Sequence, residues 1–171
     1  MISSRHSLAV ILALATIVAS PAAAGDFAAP TGEVLLTIKG DIAARNAGDT
    51  LQLDQAQLAA LPQSSFTTST IWTSGTPTFS GVLLKDLVAA IGAKGETITL
   101  SAANDYTIKM PMSAVADDAP LLAFLMDGKP MSLREKGPVW MVYPYDANES
   151  YRSEETYSRS IWQLTTIEFG E

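Results

Sequence analysis

Residues 127–164 read DGKPMSLREKGPVWMVYPYDANESYRSEETYSRSIWQL, and the reading of this stretch decides the fold. It opens on a turn signal, Asp127-Gly128-Lys129-Pro130, in which Gly permits positive φ and Pro fixes its own. A loop with Arg134, Glu135 and Lys136 follows. The apolar run Val139-Trp140-Met141-Val142-Tyr143-Pro144 then has the composition of a buried strand. After the acidic loop Asp146-Ala147-Asn148-Glu149-Ser150 comes a second strand-like run, Ser158–Leu164. Two buried strands flanking a charged loop predict the floor of a site with polar groups at its rim.

Working outward, the N-terminus carries its own signature. Arg5 and His6 precede an apolar run, Ser7–Ser20, that is too short to span a bilayer, and Pro21-Ala22-Ala23-Ala24 follows with small residues. This is the pattern of a secretory signal peptide cut after Ala24, and it predicts a periplasmic protein. Residues 25–171 then suit one domain with a core of its own. No other apolar run approaches spanning length, so no membrane insertion is expected.

Composition excludes several kinds of chemistry. The chain has 11 Lys and Arg against 18 Asp and Glu, a net charge of −7, and no basic cluster, which argues against nucleic-acid partners. It has no cysteine, so an exported fold must stand on its core without disulfides. The one histidine is His6, which leaves with the signal peptide. Residues 25–171 therefore offer no thiolate or imidazole to zinc, copper or haem, no cysteine nucleophile and no histidine base. No metal site and no catalytic residue is expected. The loop Asp146–Ser150 lacks the spacing of a calcium loop and reads as solvated.

The remaining segments predict a strand at Glu33–Ile38 and a short helix Gln55–Leu61, capped by Asp54 and ended by Pro62. A Thr-rich strand over Ser65–Trp72 is followed by a turn at Thr73–Pro77. Leu83, Leu84, Leu87, Val88 and Ile91 share one face of a helix, with Gly92 placed as its left-handed cap. Thr97–Ala102 and Tyr106–Met112 form a hairpin about Asn104-Asp105, Ser113–Ala119 is a weak helical turn, and Leu121–Met126 is a buried strand. The class is α+β: a β-rich single domain of mixed sheets with a few short helices.

This order of segments resembles the molybdopterin-binding domain of the sulfite-oxidase group of oxidoreductases, in particular its short exported members. The matching pieces are Leu35–Gly40, the capped Asp54–Pro62 segment, and Phe79-Ser80-Gly81-Val82-Leu83-Leu84-Lys85-Asp86-Leu87, similar to an aromatic-x-Gly-x-x-Leu-x-x-Leu helix start. Asn104-Asp105-Tyr106 with Met110-Pro111, Asp127–Met131, Gly137–Pro144 and Arg159-Ser160-Ile161 follow in order, so the resemblance covers nearly all of residues 25–171. It implies the sulfite-oxidase-like fold and, in catalytic members, a molybdenum held by a cysteine in the strand before the aromatic-x-Gly motif. Here that region is Thr68-Ser69-Thr70-Ile71-Trp72-Thr73, without a cysteine. Ser69 or Thr70 could offer an oxygen instead, but a hydroxyl is far harder to ionise than a thiol, and no base lies nearby in sequence.

The resemblance also implies that Arg159, with Ser160, helps to hold an anionic pterin phosphate, a role that suits the planar guanidinium fork. A surface pair with Glu154 or Glu155 is the plainer alternative. Arg134 and Lys136 would extend an anion cradle, or simply solvate their loop. Trp72, Trp140 and Trp162 could wall a planar ligand, with Tyr106, Tyr143, Tyr145 and Tyr157 adding hydroxyls. Trp140 reads as core, and Trp72, Tyr143 and Tyr145 as exposed.

The function expected is a periplasmic binding or accessory domain without redox chemistry of its own. Its ligand would be a small anionic or planar molecule, or its partner an exported domain of a signalling or redox protein. No cofactor is expected, molybdopterin entering from the resemblance alone. The alternatives are a molybdopterin-dependent oxidoreductase with a Ser69 or Thr70 oxygen ligand, and a protein-interaction module using an exposed strand edge.

Overall fold

The computed structural model describes residues 26–171; the export segment expected at residues 1–24 lies outside them. Two sheets organise the chain. The first has β1 (Val34–Gly40) and β2 (Leu51–Asp54), then β5 (Thr97–Ala102), β6 (Thr107–Pro111) and β10 (Leu164–Gly170), in the order β2-β1-β10-β5-β6. Only β1 and β10 pair in parallel. The second sheet runs β3 (Ser64–Thr67), β4 (Thr78–Leu83), β7 (Leu121–Met126) and β8 (Lys129–Pro130), with β9 (Trp140–Val142) also pairing β7. Helices α1 (Gln55–Ala60), α2 (Leu84–Ile91) and α3 (Glu154–Arg159) are short. The fold is thus α+β and strand-rich, as the segment pattern predicts, with one mixed sheet and one antiparallel sheet.

Local chemistry explains the elements. Asp54 ends β2 and starts α1: its carboxylate accepts from the Gln57 N–H (2.9 Å), while Gln57 Oε1 accepts from the Asp54 N–H (3.0 Å). The same carboxylate accepts from the N–H groups of Thr31 and Gly32, both at 2.9 Å, tying the lead-in segment down. These backbone donors hold the Asp54 pKa below the usual carboxylate range. Helix α2 buries Leu84, Leu87 and Ile91 and ends on Gly92 in the left-handed region (φ 61°). At Gly81 the strands β4 and β7 approach so closely that a Cβ would lie 2.0 Å from the Leu122 carbonyl oxygen. The aromatic-x-Gly motif is therefore a packing requirement.

Two apolar clusters fill the interior. The larger takes Leu36, Ile38, Leu51, Leu53, Ile98, Leu100, Ile167 and Phe169 from the first sheet, with α2 packed on them. The smaller takes Phe79, Leu121, Ala123, Trp140 and Val142 from the second, with Trp72 and Trp162 against it.

Several expectations are corrected. The strand expected over Ser158–Leu164 is the end of α3 and a connecting segment; β10 begins only at Leu164. Ser153 caps α3, its Oγ accepting from the Thr156 N–H at 3.2 Å, and Glu154 and Glu155 occupy the first turn, where the helix dipole favours acids. Of the two floor strands expected within Asp127–Leu164, the first is thus strand β9 and the second lies largely in helix α3 and the segment after it. The Ser65–Trp72 strand stops at Thr67; the Thr68 N–H still bonds the Pro77 carbonyl, and its side chain accepts from the Asp146 N–H of another loop. Tyr143 and Tyr145, expected to be exposed, are 4% and 2% exposed, packed in a row of rings with Tyr151 and Tyr157. Trp140 is fully buried, as expected.

Candidate functional site

A cavity of about 320 Å³ opens where the β5–β6 hairpin, the end of α3 and the β3–β4 connection meet. Its walls are aromatic: Trp72 from the connection, Tyr106 from the hairpin turn, Tyr157 from α3 and Trp162 from the segment before β10. Asn104, Ser158 and Ser160 add polar groups, and Ala102 and Ile161 complete the lining. The mixture of apolar faces with a few aimed polar groups is that of a small-molecule pocket, at the small end of the usual range of about 300–1,000 Å³.

The rings are fixed by one another. Trp72 makes edge-on pairs with Trp162 (5.6 Å between centroids), Tyr157 (5.8 Å), Trp140 (5.9 Å) and Tyr145 (6.4 Å). Such pairs contribute about 0.5–1.5 kcal/mol each beyond area burial. Behind them the Tyr145 and Ser160 hydroxyls meet at 2.5 Å, and the Ser160 Oγ donates to the Thr156 carbonyl at 2.7 Å. The Trp140 indole N–H donates to the Ser160 carbonyl at 3.2 Å. Burial pushes the Tyr145 hydroxyl up to about 12, and burial raises Tyr143 as well, the nearby Arg159 opposing it. The Tyr143 hydroxyl is the buried side-chain oxygen left without a partner among the described residues.

The sequence candidates separate in space. Trp72 and Ser160 line the cavity. Arg159 does not: its side chain, only 15% exposed, pairs with Glu155 one helical turn away. Lys136 lies over the indole faces of Trp162 (4.5 Å) and Trp140 (5.7 Å), as cation–π neighbour of a wall residue. Arg134 sits exposed on a 3₁₀ turn, and Tyr143 and Tyr145 lie in the core behind the wall. Thr70 Oγ1 accepts from the Trp72 N–H at 3.0 Å and meets Thr73 Oγ1 at 2.8 Å, shaping the turn that carries Trp72.

Ser69 has the most telling surroundings. Its hydroxyl donates to Asp146 at 2.7 Å and its N–H to the same carboxylate at 2.5 Å; Arg152 donates to that carboxylate at 2.7 Å. The Ser69 donors, backbone first, and then Arg152 hold the Asp146 carboxyl down at about 2. The loop read as solvated is therefore anchored by its first residue. Asn104, whose dipeptide reads as a turn and nothing more, lines the cavity.

A family model described as "Oxidoreductase molybdopterin binding domain" matches residues 36–148. The chain belongs to this family. No curated protein matches it. The match spans β1 to the loop after β9, and so takes in Ser69, Trp72, Asn104, Tyr106 and Asp146. The sequence holds no cysteine anywhere, so the thiolate ligand implied by the sulfite-oxidase resemblance is missing from this member.

Tested against the group that the family binds, the residues divide. The cavity has four aromatic side chains as walls and amide and hydroxyl groups at its edges, the lining that a flat heteroaromatic ring would need. A metal on that ring does not find a matching ligand at Ser69: the hydroxyl proton is engaged by Asp146, and a carboxylate held at about 2 is a poor base for removing it. Among the described residues there is also no cluster of three or more His, Cys, Asp or Glu arranged to hold a metal.

Proposed function

We propose that this chain is an exported binding domain for a flat, pterin-like heteroaromatic ligand, without redox chemistry of its own. The cavity walled by Trp72, Tyr106, Tyr157 and Trp162 carries the reading. Stacking on such faces contributes roughly 1–3 kcal/mol per ring, and Asn104 and Ser158 supply the hydrogen-bonding edge that a pterin would use. The absence of cysteine from the sequence and the engaged Ser69 hydroxyl argue for holding the ring rather than turning over a metal on it. The signal-peptide pattern of residues 1–24 supports a periplasmic location. A binding domain without chemistry acts through what reads its occupancy, and an exported part of a signalling or redox protein is the partner this reading calls for.

The test is titration of the full exported chain with oxidised pterin, followed by quenching of tryptophan emission. Saturable quenching is expected, and Trp162→Ala should weaken it about tenfold or more, the scale of one lost stacking partner. No saturable quenching, or an unchanged affinity in Trp162→Ala, overturns the reading. Elemental analysis of protein exported with its own N-terminus tests the rest: stoichiometric molybdenum would favour the oxidoreductase alternative.

A further inference from the structure

Trp72 reaches the cavity from a connection with no regular structure between β3 and β4, yet it makes more ring pairs than any other aromatic residue at the site. Something must hold that connection in place. Three hydrogen bonds to Asp146 do so, two on its carboxylate and one from its backbone N–H, and Arg152 donates to the same carboxylate. We propose that Asp146 is a positioning residue for the binding cavity: it clasps the Thr68–Ser69 backbone to the loop after β9 and so fixes Trp72 against Trp162 and Tyr157. This deepens the reading of the cavity given above and rests on it.

The geometry is continuous from clasp to wall. Asp146 accepts from the Ser69 N–H at 2.5 Å and the Ser69 hydroxyl at 2.7 Å, and its own N–H donates to Thr68 Oγ1 at 3.1 Å. Two adjacent residues of the connection are therefore bound from one residue of the opposite loop. Arg152 fixes the orientation of the carboxylate: Nη2 donates to Asp146 at 2.7 Å while Nε donates to the Tyr145 carbonyl at 2.9 Å. From Ser69 onward the turn is stiffened by Thr70, whose Oγ1 accepts the Trp72 N–H. A shift at Ser69 thus travels three residues to the indole with little slack. The ion pair with Arg152 is half-exposed and adds little by itself. The bonds to Ser69 are charge-assisted and short, the strong kind.

A clasp serves a ligand site better than packing alone would. Trp72 is only half-buried and Ile71 beside it is 65% exposed, so apolar contacts hold one side of the turn and solvent faces the other. The carboxylate completes the restraint on the side where a core cannot. It also leaves the cavity open, because Asp146 is not among its lining residues.

The test uses the full chain with Asp146→Asn, which keeps the shape but cannot accept from Ser69 twice and pair with Arg152. Asp127→Asn is the control: Asp127 accepts from the Thr78 N–H at 2.9 Å, a similar carboxylate-to-backbone tie between strands away from the cavity lining. With oxidised pterin as probe, Asp146→Asn should weaken binding tenfold or more and change the near-ultraviolet circular dichroism of the tryptophan cluster. Asp127→Asn should leave both within twofold of the parent. Asp146→Asn binding within twofold of the parent, or both variants losing affinity alike, overturns the proposal. If the parent chain does not bind pterin, the functional reading falls and the clasp is judged by circular dichroism alone. In that case an unchanged tryptophan signal in Asp146→Asn overturns it.

Discussion

The Tyr145 hydroxyl donates to the Ser160 Oγ at 2.5 Å, and because that oxygen has one proton, already given to the Thr156 carbonyl, the direction is fixed. Both side chains are buried, so the bond ties the strand-side core to the end of α3 beneath the cavity. Removing its two ends should not cost the same. Ser160→Ala leaves a buried phenol without an acceptor and should destabilise by about 1–3 kcal/mol. Tyr145→Phe leaves Ser160 its bond to Thr156 and should cost about 0.5–1.5 kcal/mol. Urea denaturation of both variants and their double mutant checks this; equal losses would show that only the shared Tyr145–Ser160 bond counts and that the orphaned phenol carries no added penalty.

Gly81 supplies a second outcome. A methyl group there would stand 2.0 Å from the Leu122 carbonyl oxygen, which is backbone and cannot step aside. Gly81→Ala should force β4 and β7 apart and cost on the order of 2–5 kcal/mol, the range of severe core disruption. A chemical melt within about 0.5 kcal/mol of the parent would mean the strands separate at little cost.

How much of this was legible from residues alone follows from the range of the interactions concerned. Strands β1 and β5 and helix α2 announce themselves by period, each with one buried face, and β7 by a continuous apolar run. Helix α3 was hidden by its Thr, Tyr and Ser content, although Ser153 followed by two acidic residues is a helix-start signal. Thr67 and Thr68 look alike in sequence, yet one ends a strand and the other takes a bond from Asp146. The aromatic set was visible, but which members face the cavity depends on the loop after β9. Ser69 and Asp146 are 77 residues apart, and no local pattern connects them. None of Arg134, Lys136 and Arg159, expected as an anion cradle, lines the cavity, and each has other surroundings. Arg134 is solvated on its turn, Lys136 covers an indole face, and Arg159 meets a carboxylate on its own helix.

Alkaline conditions should expose the buried tyrosines. Burial raises Tyr143, and pushes Tyr145 and Tyr151 up to about 12, with the Asp118 carboxylate adding to the rise at Tyr151. A raised pKa means that the folded state keeps its protons more tightly than the unfolded chain. Its contribution is complete below about pH 10, the ordinary value for a phenol, and is lost as pH rises through the folded value. Stability should therefore decline from about pH 10 to 12, and the phenolate absorbance of these residues should rise together with loss of the tryptophan dichroism. Phenolate appearing in full near pH 10 with the fold intact would contradict their burial.

Acid works through the opposite sign. The Asp146 carboxyl is held at about 2, first by the Ser69 backbone N–H, then by the Ser69 hydroxyl and Arg152. A depressed pKa stabilises the fold above the unfolded value of about 3.9, and that contribution disappears as pH falls through the folded value. Asp54 and Glu135 are lowered too, by the backbone N–H of Gln57 and by the Ser132 hydroxyl respectively, so the whole acid limb has several owners. The tryptophan signal singles out one of them. Between about pH 4 and 2 the near-ultraviolet dichroism of the Trp72 cluster should change ahead of the far-ultraviolet signal, because the clasp protonates while the sheets persist. In Asp146→Asn that early change should be absent, since the amide cannot titrate. An early transition of undiminished size in the variant would assign it to another carboxylate and detach Trp72 from Asp146.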